Sequence, residues 1–572
     1  MKLIRLNADP GMKKDNSVFI VFCFSAFFLL LLAYSNHFLN AFHFDDSHTI
    51  VNNDFIRDIK NIPLYFTDAR THSSLPANQT YRPLTSATFA IDYWLGNGLK
   101  TTLYFHLSTF IWYVAQCTLL YFLYYKIIST TGNHRWNRFI ALFGASWYAL
   151  HTANAETVNY ICQRADALSA LMVVAGFILY AYLPEWRRWC IYLIPVAIGM
   201  FFKEPTAMFA PLVFFYIMLF EKNQSMSEGF KPRNLSKILK ASAPAMLICM
   251  ILGIFVIKKM SAMWTPGGTS RYAYFITQPF VLLHYFTTFF LPVDLSADSD
   301  WKVINSILDI RAAAGFLFVF ILLYIAYIAS KKPDSRPISF GILWFFIALA
   351  PTSSVIPLAE VMNDHRMFFP FIGLMLAVCW ALGLCIIKNE GVLFQTPVFR
   401  TTLIILASAI LAGNAFGTYQ RNKVWRTEES LWHDVTLKSP DNGRGLMNYG
   451  LTQMEKGDFE NALGYFEKAL VLAPAYAYLH VNIGILKAAM NQPEEAARYF
   501  KNALLLDPNN PECFYYYARW LSSRKREHEA IALLEKAIRI SPGNGSAKSL
   551  LNEILARNRT LQPTVEQTNK AR

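Results

Sequence analysis

The stretch VFIVFCFSAFFLLLLAYSNHFLN, residues 18–40, decides the class of this protein. It is apolar over the ~20 residues that a helix needs to cross the hydrocarbon core of a bilayer. A basic leader, residues 1–17, precedes it and carries Lys2, Arg5, Lys13 and Lys14. The apolar run is long, and no small-residue cleavage site precedes the polar segment after it. The run therefore predicts a retained membrane anchor and not a signal peptide.

The composition extends this interpretation to most of the 572 residues. Hydrophobic residues make up 54% of the chain and charged residues only 16%, whereas globular domains average about 25% charged residues. A chain so poor in charge cannot coat a soluble surface, which excludes soluble, disordered and fibrous proteins. The net charge of +14 is assigned to cytoplasmic loops and anionic lipid, and no nucleic-acid partner is expected.

Eleven apolar runs predict an all-α polytopic membrane domain over residues 18–420. The predicted spans cover residues 18–40, 104–127, 139–152, 167–183, 190–203, 206–220, 241–257, 312–330, 338–353, 367–387 and 400–418. Lys and Arg fall on alternate sides of successive spans, so the leader is predicted to be cytoplasmic and loops 41–103 and 258–311 to face outward. The odd number of spans places the C-terminal segment outside as well.

The segment after the membrane domain repeats every 34 residues. The recurring positions are Gly450, Ala462, Phe466, Ala469 and Pro474, then Gly484, Ala496, Phe500, Ala503 and Pro508, then Ala518, Ala530, Leu534, Ala537 and Pro542. Small residues at these offsets let two antiparallel helices pack closely, which is typical of a tetratricopeptide (TPR) α-solenoid. The pattern predicts a linker helix at 421–442, repeats at 443–476, 477–510 and 511–544, a capping helix to 557 and a disordered tail at 558–572.

Charged residues of both signs cluster at the predicted outward ends of the spans. Asp45 and Asp46 follow the first span, and adjacent side chains of an extended segment point to opposite faces, so one carboxylate can face a cavity while the other is structural. A carboxylate at the lipid boundary is a candidate for function. The other candidates are Arg82 in YRPL, His151, Glu156, Arg164 and Asp166 in ALHTANAETVNYICQRADALSALM, Lys203 and Glu204 in KEPTAM, and Asp364, His365 and Arg366 in NDHRMFFP.

This pattern of charges favours glycosyl transfer from a polyprenyl-phosphate sugar. Cations at a lipid interface suit a phosphate headgroup, and Arg can bind it with two hydrogen bonds. Asp45 or Asp46 would take the proton of the acceptor hydroxyl as general base, while the cations stabilise the leaving phosphate of an inverting displacement. The remaining candidates are predicted to bind the donor or the acceptor. No cofactor or tight metal site is predicted, and the use of a divalent cation stays open.

Two other classes of function remain open. One is a membrane scaffold whose TPRs recruit partners, for which the Asp45/Asp46 loop would be dispensable. The other is a lipid-linked oligosaccharide ligase or polymerase, whose larger donor would need a wider outward cavity near residues 258–311. A transporter is disfavoured because the charges cluster at one face and not at the midplane.

The order of the motifs FDD, YRPL, ALHTANAETVNYICQRADALSA, KEPTAM and DHRMFFPFIG, followed by VWRTEESLWHD and TPRs, resembles the transmembrane and TPR-containing (TMTC) family. The H-x4-E-x7-R-A-D spacing and the fused TPRs are the most specific parts. The resemblance implies a GT-C type glycosyltransferase that uses a polyprenyl-phosphate sugar, often dolichyl-phosphate mannose, and modifies protein Ser or Thr. It also implies that the catalytic acidic pair lies in the first non-cytoplasmic loop, here Asp45 and Asp46.

The chain departs from the animal members of that family at two places. Animal members read closer to AERVLYLP where this chain reads DHRMFFP, so Asp364 is kept but the adjacent Glu is replaced by His365. The array of three repeats is also short. These departures favour a bacterial or archaeal member, placed in the bacterial inner membrane (or the ER membrane of a eukaryote) with its TPRs on the periplasmic or luminal side, where they bind a protein acceptor or partner.

Overall fold

The computed structural model describes residues 10–260 and 268–561, and within these ranges every regular element is helical. The predicted all-α class is confirmed. Residues 1–9 of the predicted leader and residues 562–572 of the predicted tail lie outside the described residues. The chain divides into two compact units. The membrane unit comprises residues 1–297 and 301–430, and the TPR unit comprises residues 298–300 and 431–572.

The membrane unit contains seventeen α-helices in its described part, several of them short. They are α1 Pro10–Ala33, α2 Ile62–Tyr65, α3 Pro83–Leu95, α4 Leu103–Ile128, α5 Asn137–Leu150, α6 Asn154–Asn159, α7 Arg164–Tyr182, α8 Leu193–Met200, α9 Phe209–Tyr216, α10 Met226–Gly229, α11 Pro232–Lys259, α12 Arg271–Phe290, α13 Ile310–Ser330, α14 Arg336–Leu349, α15 Phe368–Lys388, α16 Glu390–Gln395 and α17 Pro397–Val424. Short 3-10 and π-helical turns join many of them.

Eight helical stretches of the described chain are long and apolar enough to cross a membrane. They are Asn16–Ala33, Leu103–Ile128, Ile161–Tyr182, Glu204–Glu221, Pro232–Lys259, Ile310–Ser330, Asp364–Lys388 and Pro397–Val424. Three more of the predicted spans correspond to shorter helices, α5 and α14 with 14 residues each and α8 with 8. The count of eleven spans therefore stays a prediction, as does the side of the membrane on which each loop lies.

The segment 258–311, expected to be an outward loop, contains the 20-residue helix α12. Polar residues and Pro279 interrupt its apolar sequence, RYAYFITQPFVLLHYFTTFF, so no continuous apolar run marks it. It packs closely against α13, because a Cβ atom at Gly315 would clash with the backbone of Phe280. Gly341 of α14 and Gly373 of α15 face each other in the same way, and each leaves no room for a side chain.

The first loop, residues 41–103, forms a small helical layer with its own core. Ile50, Tyr65 and Phe89 are fully buried there with Phe105 of α4. The side-chain amide of Asn53 donates hydrogen bonds to the carbonyls of Thr49, at 3.1 Å, and Thr71, at 3.0 Å, which joins the two ends of the layer. The segment that carries the paired aspartates is therefore held on a packed support.

The TPR unit consists of paired antiparallel helices that follow the 34-residue pattern, which confirms the predicted TPR solenoid. Its helices are α18 Glu428–Lys438, whose first turn belongs to the membrane unit, and then α19 Gly443–Glu455, α20 Phe459–Leu472, α21 Ala477–Ala489, α22 Pro493–Leu506, α23 Pro511–Ser523, α24 Glu527–Ile540 and α25 Gly545–Leu561. Gly450 permits the close approach, since a Cβ atom there would lie 2.6 Å from the ring of Phe466. Local sequence sets the boundaries, as where the Asp458 carboxylate caps α20.

Two boundaries of this region differ from the expected ones. The linker 421–442 is not one helix, because α17 ends at Val424 and α18 begins at Glu428. The last helix, α25, runs to Leu561, so the first residues of the predicted tail continue the capping helix. The aromatic residues of α23 pack against one another and against the core, with the Tyr517 ring stacked 5.3 Å from that of Phe500.

Candidate functional site

The two adjacent aspartates of the first loop have different environments. Asp46 is fully buried, and its two carboxylate oxygens accept hydrogen bonds from the backbone N–H groups of His43, at 3.0 Å, and Cys162, at 2.7 Å. The Asp45 side chain is 48% exposed, and its Oδ1 lies 3.2 Å from Nε2 of His48. Asp46 therefore fixes the loop to the segment before α7, while Asp45 presents a carboxylate outward.

The same environments move the pKa values of the two acids in opposite directions. Burial raises the pKa of Asp46 to about 7, and its two backbone hydrogen bonds only partly oppose this. Burial also acts to raise the pKa of Asp45, but the contact with His48, the hydrogen bond with the Tyr160 hydroxyl and the charge of Arg82 outweigh it and hold this pKa below its ordinary value. Asp45 is consequently ionised at neutral pH and able to accept a proton.

Two cationic side chains lie beside acids in this part of the membrane unit. The Arg82 guanidinium is 3.5 Å from the Glu204 carboxylate, and Lys203 Nζ is 2.5 Å from Asp166 Oδ2 and 3.1 Å from Gln163 Oε1. Both side chains are largely enclosed, with 19% of Arg82 and 15% of Lys203 exposed. The segment 203–204 thus supplies one cation and one acid to two neighbouring ion pairs.

Electrostatic interactions connect these pairs to the aspartate loop. Burial acts to lower the pKa of Arg82, but Glu204, Asp166 and Asp45 together raise it above its ordinary value. Arg82 is therefore within electrostatic reach of the outward carboxylate as well as of the two acids beside it. The arrangement places one exposed acid among fixed positive charges, which suits a substrate that brings both a hydroxyl group and a phosphate.

A chain of polar contacts continues from Lys203 into the interior. Gln163, which accepts from Lys203, has its Nε2 3.5 Å from Nε2 of His365, and Nδ1 of His365 is 3.0 Å from Glu156 Oε1. Asp166, Lys203, Gln163, His365 and Glu156 are therefore linked in sequence. The residue that replaces Glu in the DHRMFFP motif, His365, takes a central position in this chain.

Sequence comparisons match both parts of this chain. A tetratricopeptide repeat model matches residues 453–519 and 487–554. The chain is 25% identical over 460 residues to a protein O-mannosyl-transferase of Caenorhabditis elegans, covering 78% of this chain and 62% of that protein. It is 22% identical over 509 residues to protein O-mannosyl-transferase TMTC3 of Homo sapiens, covering 81% and 52%. These matches support the resemblance of the chain to the TMTC family.

A third relative, protein O-mannosyl-transferase TMTC1 of Homo sapiens, is 24% identical over 566 residues, which cover 89% of this chain and 61% of the relative. The chain thus spans about half to three fifths of the length of the curated relatives it matches. The crystal structure of MamA matches 29% of the chain with 20% identity and a TM-score of 0.19, a value too low to bear on the fold.

Arg164, a predicted phosphate ligand, lies in the interior of the membrane unit. Its side chain is fully buried, ion-paired with Asp92 of α3, and hydrogen-bonded to the Thr109 hydroxyl at 2.9 Å and to the Phe105 carbonyl of α4. All three nitrogen atoms of its guanidinium are occupied by protein groups. Arg164 therefore joins three helices and does not contact the cluster around Asp45.

Three further candidates also lie in local structural contacts. His151 is buried, and its Nε2 contacts a backbone carbonyl of α12 at 3.0 Å. Arg366 donates to the carbonyl of Glu360 at 3.1 Å. Asp364 accepts from a backbone N–H group at 2.9 Å. The structure thus brings together Asp45, Arg82, Glu156, Asp166, Lys203, Glu204 and His365, but not Arg164 or His151. Asp364 and Arg366 lie at the edge of this group, within electrostatic reach of His365.

The sequence did not single out three polar residues of this region. His48 contacts Asp45, and the i, i+3 spacing of the two residues in DDSH is the signal that could have revealed it. Gln163 links two predicted residues, but no pattern in the sequence marks it. His72 is buried, with its Nδ1 3.0 Å from the Ser86 hydroxyl, and burial and nearby positive charge lower its pKa to about 3.

Within residues 10–260 and 268–561, no group of three or more His, Cys, Asp or Glu side chains is arranged to hold a metal ion. Positive charge at the candidate site comes from Arg82 and Lys203. These two side chains are the protein groups available to bind a phosphate there.

Proposed function

We propose that this chain is an integral-membrane glycosyltransferase of the GT-C type, like the TMTC proteins that it resembles. It moves a sugar from a polyprenyl-phosphate donor to a Ser or Thr hydroxyl of a protein on the non-cytoplasmic face of the membrane. The expected sugar is a hexose, and mannose is the hexose that we expect first. The names of the relatives, protein O-mannosyl-transferases, support the class of reaction. The observation that carries the proposal is the half-exposed, ionised Asp45 within electrostatic reach of Arg82.

In the proposed reaction, Asp45 takes the proton of the acceptor hydroxyl as general base. The acceptor oxygen forms a bond to the anomeric carbon as the bond from that carbon to the phosphate oxygen breaks. The configuration inverts, and the polyprenyl phosphate leaves as an anion. The proton that leaves the acceptor ends on the Asp45 carboxylate and is then released to water. No other group has to change its protonation state.

Arg82 and Lys203 are proposed to stabilise the charge of the leaving phosphate. The 3.5 Å separation of Arg82 and Glu204 is long for an ion pair, and the buried Nε of Arg82 has no hydrogen-bond partner among the described residues. A donor N–H that is buried and unused costs free energy, which a phosphate oxygen would recover. This favours Arg82 as the principal phosphate ligand, with Lys203 supplying a second positive charge.

Asp46 is proposed to act on the geometry of the site and not on the substrate. Its two hydrogen bonds fasten residues 43–46 to the backbone at Cys162, one residue before Gln163. The same short segment of backbone therefore carries both the proposed base and the link to Lys203. The TPRs are proposed to bind the protein acceptor or a partner, since stacked repeats form extended concave surfaces.

The first experiment measures sugar transfer by the purified chain in lipid nanodiscs. Polyprenyl-phosphate mannose and polyprenyl-phosphate glucose are tested as donors, with Ser- and Thr-containing protein acceptors. The wild-type chain should transfer sugar, and Asp45→Asn should lower kcat by a factor on the order of 10² to 10⁴, because the base is lost. The matched control is Asp54→Asn, which removes an acid of the same loop whose side chain is 86% exposed.

Each outcome has a definite meaning. Wild-type activity together with undiminished activity of Asp45→Asn would remove Asp45 as the base. Absence of transfer from every polyprenyl-phosphate sugar, with retained binding of protein partners to the TPRs, would favour the membrane scaffold. Transfer of a lipid-linked oligosaccharide in place of a single sugar would favour the ligase or polymerase.

A further inference from the structure

His48 lies between the proposed base and a serine of the same loop. Its side chain is nearly buried, its Nε2 is 3.2 Å from Asp45 Oδ1, and its Nδ1 is 3.0 Å from the Ser73 hydroxyl. Ser73 is itself held, since its Oγ accepts a hydrogen bond from the backbone N–H of Leu75 at 3.0 Å. The imidazole is therefore fixed at both nitrogen atoms.

The identity of the partners sets the direction of each hydrogen bond. An ionised carboxylate can only accept, so the proton on the ring lies at Nε2 and points to Asp45. Nδ1 then accepts a hydrogen bond from the Ser73 hydroxyl. The amide nitrogen of Asn78 also lies 3.3 Å from Nε2, but both groups are N–H donors in this tautomer, so no hydrogen bond forms between them.

The contact with His48 uses only one of the two oxygen atoms of Asp45. The Tyr160 hydroxyl also lies within hydrogen-bonding reach of this carboxylate, and about half of the Asp45 side chain is exposed. A carboxylate with one oxygen held by a fixed donor cannot rotate freely, so Oδ2 keeps one orientation. Orientation of a reacting group before the reaction lowers the entropy cost of reaching the transition state.

We infer that His48 is the positioning residue of Asp45, and that it directs Oδ2 toward the acceptor hydroxyl. This inference rests on the proposed function. In the transfer step, the proton of the acceptor hydroxyl goes to Asp45 Oδ2, and the acceptor oxygen bonds to the anomeric carbon as the phosphate leaves. His48 keeps its Nε2 proton throughout and does not touch the substrate. Its role is to hold the base and not to carry the proton.

The test compares His48→Leu with His48→Gln in the full chain, using the polyprenyl-phosphate sugar that the wild type accepts. Leu removes the donor to Asp45, whereas the amide of Gln can place an N–H near the position of Nε2. We expect His48→Leu to lower kcat about 10- to 100-fold with the KM for the donor sugar changed by less than about 3-fold. His48→Gln should restore kcat to within about 5-fold of the wild-type value.

His106→Leu provides the matched control. His106 is also buried, and its Nε2 lies 2.9 Å from the backbone carbonyl of Asn40, but it makes no hydrogen bond to Asp45. If the loss of any buried, hydrogen-bonded histidine were enough, His106→Leu and His48→Leu would have the same effect on kcat. We expect kcat of His106→Leu to stay within about 3-fold of the wild-type value, while thermal midpoints identify any loss of folding.

The inference is overturned if folded His48→Leu turns over like the wild type, or if His48→Gln is as impaired as His48→Leu. If His48→Leu does not fold, Ser73→Ala tests the inference instead. This variant keeps the imidazole of His48 but removes the hydroxyl that contacts its Nδ1. A fall in kcat of about 3- to 10-fold for Ser73→Ala supports the inference, and an unchanged kcat rejects it. A wild-type chain without transfer activity rejects the proposed function itself, and the role of His48 with it.

Discussion

At the scale of single residues, the buried carboxylate of Asp46 leads to a prediction on stability. Burial raises its pKa to about 7 in the folded chain, above the ordinary value of 3.8. The folded state then holds a proton that the unfolded state releases, so the stabilisation is complete below about pH 4 and is lost as pH rises from about 4 to 7. The loss should be on the order of a few kcal/mol, since one pKa unit corresponds to about 1.4 kcal/mol.

The measurement is the thermal midpoint in detergent between pH 4.5 and 7.5, for the wild type and for Asp46→Asn. The Asn variant loses an acceptor for one backbone N–H and is less stable than the wild type, but the gap should narrow as pH rises. Asp68→Asn is the opposite control, because its hydrogen bonds with Arg70 lower the pKa of Asp68, so its contribution is lost as pH falls. A gap between wild type and Asp46→Asn that is constant with pH would contradict the prediction.

The site also shows what a sequence can and cannot reveal about single residues. The pair Asp45 and Asp46 could be predicted from its position beside a membrane span. The extended segment assumed for the pair is wrong, because Asp46 has helical backbone angles (φ −57°, ψ −29°) at the start of a helical turn, and this turn gives the two acids their different environments. The contacts of Gln163 with Lys203 and His365 could not be predicted from the sequence, because the three residues come from three separate segments of the chain. The prediction for Arg164 failed in a different way. The sequence cannot distinguish an arginine that forms a buried ion pair from one that binds a phosphate.

At the scale of elements, the ion pair between Arg164 of α7 and Asp92 of α3 joins the first loop to the membrane helices. Asp92 also accepts a hydrogen bond from Ser108 of α4 at 2.8 Å, so three helices meet at one carboxylate. Removing one partner of a buried pair leaves an uncompensated charge and costs about 3–5 kcal/mol. Arg164→Met should therefore lower the thermal midpoint strongly.

The double variant Arg164→Met/Asp92→Leu should recover part of that loss, because it leaves no buried charge unpaired. Thermal midpoints of the single and double variants test the pairing directly. A stable Arg164→Met variant with a raised KM for the polyprenyl-phosphate donor would contradict this assignment and return Arg164 to the substrate site.

The helices differ in how clearly the sequence predicts them. The 34-residue period of the TPRs could be predicted because the small residues recur where two helices pack closely, as at Gly450 against Phe466. The helix α12 could not, because Thr277, Gln278 and Pro279 interrupt its apolar run. The amide nitrogen of Gln278 in that interruption donates to the Val361 carbonyl at 3.2 Å, a contact that only the fold provides.

At the scale of the whole molecule, the aspartate loop is fastened to the segment that leads into the TPR unit. His43 contacts the carbonyl of Trp425 at 2.7 Å and the carboxylate of Glu428 at 3.0 Å, and the N–H of Ala41 donates to the Arg426 carbonyl at 3.2 Å. All of these residues belong to the membrane unit. A chain that ends after α18 therefore keeps every one of these contacts.

This division predicts a selective effect of removing the repeats. A chain that ends at Lys438 should transfer sugar to a short Ser/Thr peptide with kcat within about 3-fold of the full chain, because the Asp45 loop and its supports are intact. Its KM for a folded protein acceptor should rise by about 10-fold or more, since the concave TPR surface is gone. The KM for the polyprenyl-phosphate sugar is the internal control and should not change. Equal losses on peptide and protein would mean that the repeats support the active fold, and no loss on either would remove them as the acceptor-binding element.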